Sequence, residues 1–114
     1  MEVPFAHPVE RELARVFDAH GIVWEYEPHT FVLEQDDDGT VREACTPDFF
    51  LPELGLYVEC TVMRQSLTHR KRRKVRKMRA RTGEVVEILF RRDLDRLAKR
   101  WGLADLADAV DASA

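Results

Sequence analysis

Asp48 and Glu59 are the two residues of this chain best placed to do chemistry together. Side chains alternate sides along a strand, and both carboxylates lie in stretches that read as strands. Over residues 46–51, Asp48 and Phe50 share one face, with Phe49 and Leu51 on the other. Over residues 56–62, Tyr57, Glu59 and Thr61 share one face, while Val58, Cys60 and Val62 make a good core face. Glu59 is thus flanked by apolar residues, a costly place for a carboxylate without a partner. If the two strands are neighbours, Asp48 and Glu59 converge. Two hard oxygen ligands at one point suit Mg2+ or Mn2+, which keep several waters and bind phosphate oxygens. Such a cation lowers the pKa of a bound water and stabilises charge on a phosphorane-like transition state. The pattern alone leaves a plainer alternative open: Asp48 turns the chain after Pro47, and Glu59 is a charge on an exposed strand face.

A second feature is charge segregation. The net charge is −3, yet residues 64–81 hold ten of the 18 basic residues and no acid. These are Arg64, Arg70, Lys71, Arg72, Arg73, Lys74, Arg76, Lys77, Arg79 and Arg81. The local charge therefore informs on partners better than the whole-chain balance. On a helix these cations would cover most of the circumference, leaving an apolar stripe of Leu67, Val75 and Met78. Like charges four residues apart, such as Arg72/Arg76 and Arg73/Lys77, oppose the helix, and phosphates would offset them. Arg64, Arg70, Lys71, Arg73, Lys74 and Lys77 are the candidate nucleic-acid contacts. The alternative is a solvated face, partly neutralised by Glu84, Glu87 or the C-terminal aspartates. Arginine-rich surfaces mostly meet phosphates, so no base preference is legible, and no RNA-binding aromatic motif or zinc-finger pattern occurs.

The elements that must position these residues follow from periodicity. Pro8 opens a helical pattern with Val9, Leu13, Val16 and Phe17, and Gly21 makes a C-cap. Strands are predicted over 22–26, 30–33, 40–44, 46–51 and 56–62, with a turn at Asp36-Asp37-Asp38-Gly39. A helix over 66–81 ends at Gly83. A strand over 85–90 and a helix over 93–101 follow, with Leu94, Leu97 and Trp101 inward, then a short terminal helix and a frayed end over 111–114. The order is a helix, a run of three or so strands, a helix, a strand and a helix. It implies an α/β fold with a mixed sheet and helices packed on it.

The stretch Thr46-Pro47-Asp48-Phe49-Phe50-Leu51-Pro52, followed by Leu56-Tyr57-Val58-Glu59-Cys60-Thr61, resembles the core motif of the PD-(D/E)XK nucleases. Upstream, Pro8-Val9-Glu10-Arg11-Glu12-Leu13-Ala14-Arg15 and Gly21-Ile22-Val23-Trp24-Glu25-Tyr26-Glu27-Pro28 resemble the family's first helix and strand. The resemblance spans about residues 8–90 and implies a restriction-endonuclease-like core in the order αβββαβ, with a C-terminal helical extension over 91–114. It implies a metal-dependent nuclease acting on DNA rather than RNA, its metal held by Asp48, Glu59 and the backbone carbonyl of Cys60. Glu10 matches the glutamate that the family's first helix turns toward the site. One position departs from the pattern: Thr61 stands where the family carries its lysine, which activates water and steadies transition-state charge. Three readings follow. A cation from the next helix, Arg64 or Lys71, replaces it; the metal suffices alone, at a reduced rate; or the domain binds nucleic acid without cutting it. A protein–protein adaptor, its basic helix meeting an acidic partner, is a further alternative.

At 114 residues the chain is expected to form one domain, small enough to make a homodimer a reasonable expectation. No stretch approaches the roughly 18 apolar residues of a membrane span, and the first residues lack the pattern of a signal peptide. A cytoplasmic protein is expected, with Cys45 and Cys60 as buried thiols rather than a disulfide. The histidines have no zinc-site spacing. Glu34-x-Asp36-x-Asp38-Gly39 looks like the front of a calcium loop, but Cys45 occupies the twelfth position, so a hairpin turn is expected. The aromatic residues Trp24, Trp101, Phe17, Phe31 and Phe49 read as core rather than as base-stacking platforms.

Overall fold

The structure, a computed structural model, describes residues 3–62 and 65–113. Its first helix, α1 (Pro8–Ala19), is capped by His7, whose Nδ1 accepts the Val9 N–H at 3.1 Å. Proline is suited to the first helical turn, where its missing N–H has no partner to lose. Just past the helix, Gly21 takes φ 67°, the left-handed conformation that lets the chain leave cheaply.

Five strands then precede the second helix: β1 (Glu25–Tyr26), β2 (Phe31–Gln35), β3 (Val41–Cys45), β4 (Phe49–Leu51) and β5 (Leu56–Cys60). They are followed by α2 (Gln65–Thr82), β6 (Val86–Leu89), α3 (Arg91–Trp101) and α4 (Ala104–Asp111). β1, β4, β5 and β6 form one mixed sheet in that order, antiparallel except for the parallel β5–β6 pair that α2 connects. β2 and β3 form a separate antiparallel hairpin. Its turn is the Asp36–Gly39 segment: Gly39 N–H reaches Asp36 O at 2.9 Å and Asp38 Oδ1 accepts the Thr40 N–H at 2.9 Å.

Both faces of the sheet are covered. Phe49, Leu51, Val58 and Cys60 pack under α1, α3 and α4, against Val9, Leu13, Phe17, Leu94, Leu106 and Val110. Phe49 is fully buried and meets Phe5, Phe17, Trp24 and Tyr26, mostly edge to face. On the opposite face Tyr57 and Val86 pack with Leu33 and Cys45 of the hairpin and Met78 of α2. Both cysteines are free and buried.

Three sequence expectations are corrected. The strand foreseen from residue 46 begins at Phe49, because Pro47 has no N–H and the Asp48 N–H turns to a side chain instead. Trp101, expected inward, is 53% exposed: it ends α3, its ring set edge to face with His20 and under the Arg100 guanidinium. The end expected to fray from residue 111 is helical through Asp111. Among the described residues, no helix is long and apolar enough to cross a membrane.

Candidate metal centre and its basic wall

The β4–β5 register pairs Phe50 with Tyr57 and Phe49 with Val58, so its next step sets Asp48 opposite Glu59. The two residues interlock there. Asp48 donates its N–H to Glu59 Oε1 at 3.1 Å, and Asp48 Oδ2 accepts the Cys60 N–H at 2.9 Å. The Cys60 thiol points at the same Oδ2, at 3.5 Å. Pro47, itself wholly buried, fixes the chain just before this turn.

Glu10 joins from the first turn of α1 and is buried. Its Oε1 accepts the Ala6 N–H at 3.1 Å and the Tyr26 hydroxyl at 2.6 Å. Glu12 instead faces away and pairs with Arg15 at 2.9 Å. Among the described residues, ligand atoms of Glu10, Asp48 and Cys60 lie within 4.8 Å of one another.

The centre is short of positive charge. Burial above all, then the adjacent Glu59 carboxyl and, more weakly, Glu10, hold the Asp48 carboxyl well above the usual carboxylate range. The Cys60 N–H opposes this in part. Burial, with Asp48 and Glu10 nearby, likewise pushes the Cys60 thiol up, so it stays protonated and donates. Crowded carboxylates beside a neutral thiol fit a hard divalent cation, which would supply the charge the site lacks. The centre opens on a cleft of about 400 Å³ lined by His7, Glu10, Cys60, Thr61, Lys71 and Ser113.

Thr61 lies one residue beyond β5, buried, with its N–H on Leu89 O at 2.9 Å. Among the described residues, the cation paired with one of these carboxylates comes from α2. Lys71 Nζ stands 3.1 Å from Glu59 Oε2, both side chains largely buried. Lys71 also lines a second cleft, of about 360 Å³, with Thr46, Glu59, Arg70 and Lys74. Arg64, the other candidate for this role, lies outside the described residues.

The remaining cations divide between uses. Lys74 donates to Ala44 O at 3.2 Å, and Lys77 bridges Glu43 at 2.8 Å and Glu34 at 3.4 Å. Arg73 reaches Glu43 at 3.8 Å, and Arg81 donates to Leu33 O at 2.8 Å. The basic helix is therefore neutralised in part by the hairpin acids Glu34 and Glu43. Glu84, Glu87 and the C-terminal aspartates make no ion pair to it among the described residues.

Sequence reasoning missed Tyr26 and His7. Tyr26 read only as a strand aromatic, yet its hydroxyl fixes Glu10, and no sequence signal announces that bond. His7 caps α1 through Nδ1, which leaves Nε2 to donate to Ser113 Oγ at 2.9 Å and ties the two termini together beside the cleft. Tyr26→Phe removes one of the two donors on buried Glu10. It is expected to cost about 1–2 kcal/mol, read as a lower urea midpoint at unchanged m-value.

Searches of the chain against protein-family models, curated proteins and solved structures find no match.

Proposed function

We propose that this protein is a divalent-metal-dependent nuclease on a restriction-endonuclease-like core of the PD-(D/E)XK kind, hydrolysing phosphodiester bonds in DNA. The observation that carries this reading is Lys71 Nζ at 3.1 Å from Glu59 Oε2, with Glu59 Oε1 in turn accepting the Asp48 N–H. That pair, with Asp48, supplies the carboxylates and the cation the family motif calls for, although Thr61 stands in the lysine's own place.

Asp48 and Glu59 would hold Mg2+ or Mn2+, which on binding supplies a Lewis acid for phosphate oxygens and acidifies a water. The other roles belong to this chain. Lys71 sits where an ammonium can orient the attacking water and offset negative charge on the phosphoryl oxygens. Glu59 holds Lys71 in place. Tyr26 and the Ala6 N–H fix Glu10 toward the centre. Arg70 and Lys74 line the neighbouring cleft and would steady the backbone on either side of the cut. By analogy with small nucleases of this kind, a cytoplasmic homodimer is part of the same reading.

The test is incubation of purified protein with plasmid, single-stranded and branched DNA, with Mg2+ or Mn2+, comparing wild type with Glu59→Ala. Cleavage by the wild type alone, abolished by chelation, is the expected result. Equal, low cleavage by both proteins would sink the idea. Thr61 favours one second reading, a binding module without catalysis. It predicts salt-sensitive DNA retention that survives Asp48→Ala, with no cleavage by either protein.

A further inference from the structure

The described cations of α2 divide between two faces: its lysines, with Arg73 and Arg81, reach the sheet edge and the hairpin, while three other arginines stand apart. Lys71, Lys74 and Lys77, spaced three residues apart, all turn inward, to Glu59 Oε2, Ala44 O and the hairpin glutamates. Arg72, Arg76 and Arg79 are exposed and make no ion pair among the described residues. Their spacing, i, i+4 and i+7, puts them on one face of the helix. A lysine is a compact charge on a flexible stem, suited to reaching an internal acceptor. An arginine presents a planar fork that matches a phosphate in two bonds at once.

The outer arginines also carry an unrelieved cost in the free protein. Arg72 repels Arg76, and Arg76 repels Arg79, across single helical turns. Arg72 is braced over the Phe90 ring, its guanidinium carbon 4.6 Å from the centroid. At about 1.5 Å per residue the three span about 10 Å of helix axis, close to three nucleotides at about 3.4 Å per step of one strand.

We infer that this outer face of α2 is a second nucleic-acid contact, in which Arg72, Arg76 and Arg79 grip a run of backbone phosphates outside the cleft. It rests on the nucleic-acid reading above but not on catalysis. The inner cations serve the site and the hairpin; the outer stripe sets affinity without reading sequence.

Binding of a short labelled DNA duplex in EDTA, titrated with KCl, tests it. For R72Q/R76Q/R79Q the slope of log K against log salt should become shallower than wild type by about 2–3, one counterion per lost phosphate contact. R72K/R76K/R79K should keep most of that slope but bind more weakly, since the fork is lost. A charge-matched variant at exposed positions elsewhere, R11Q/R96Q/K99Q, should keep the wild-type slope. Glutamine is a good helix former and relieves the repulsion, and circular dichroism confirms that each variant is folded.

An unchanged slope in R72Q/R76Q/R79Q overturns the inference, as does an equal loss in the charge-matched variant. Retention on phosphatidylserine vesicles with none on duplex would overturn the assigned partner. The two readings fail separately. Absent cleavage in Mn2+ with the slope change intact removes the nuclease and leaves the contact. Cleavage with no slope change does the reverse.

Discussion

Lys71→Met is expected to lower the cleavage rate by about 10²–10³-fold at saturating DNA, the scale for losing one preorganised charge at a developing anion. Methionine keeps most of the aliphatic stem and removes only the ammonium. Glu59 then loses its partner in a largely buried place, which costs about 1–3 kcal/mol of stability. A purely structural role would stop there, with activity recovering as the protein is cooled or stabilised. A catalytic one leaves a fully folded variant with a depressed kcat and a little-changed KM. Thr61→Lys in the Lys71→Met background provides the stricter test. Thr61 lines the same cleft as Lys71, so a lysine there delivers an ammonium to the centre by the motif's own route. Partial return of cleavage is the expected outcome. If Lys71→Met cuts DNA as fast as wild type, Lys71 is no replacement for the lysine that Thr61 displaces.

The pairing of Lys71 with Glu59 was half legible in the sequence. Alternation along two strands put Asp48 and Glu59 on converging faces, because period-two geometry is local and needs no knowledge of the rest of the fold. The sequence narrowed the cation to Arg64 or Lys71; choosing between them needs the azimuth of α2, which tertiary packing sets. A usable signal existed nonetheless: Lys71 lies four residues after Leu67, four before Val75 and seven before Met78, on the apolar stripe itself. A lysine in such a stripe is directed at something. The hairpin is a different case. Both of its strands were read, yet their separation from the main sheet was not, since strand partners depend on contacts far along the chain. For the same reason Glu34 and Glu43 went unrecognised as the counter-charges of α2. Trp101 misled because helical periodicity shows which side a residue faces, not whether anything covers it there.

Asp48→Asn should make the metal-free protein more stable and abolish its response to metal. The Asp48 carboxyl is held above its usual range in the fold, so the folded state keeps a proton that the unfolded chain releases above about pH 4. Folding therefore binds protons, and stability falls as pH rises from the ordinary carboxylate value toward the raised folded one. Asparagine has no charge to bury. Its carbonyl still accepts the Cys60 N–H, and its amide can donate to the neighbouring carboxylates. A gain of about 1–2 kcal/mol near neutral pH is expected, seen as a Tm about 5–10 °C higher and a flatter stability curve from about pH 5 to 8. Metal acts in the opposite sense. A cation competes with the proton on Asp48, so Mn2+ should stabilise the wild type more at about pH 8 than at about pH 6. At 100 times its Kd it would add about 2.7 kcal/mol. Thermal unfolding with and without Mn2+ checks both halves on the folded protein, independently of any DNA. A Mn2+-induced shift of equal size in wild type and Asp48→Asn would remove Asp48 from the metal site. It would leave the buried carboxyl as a structural acceptor for the Cys60 N–H.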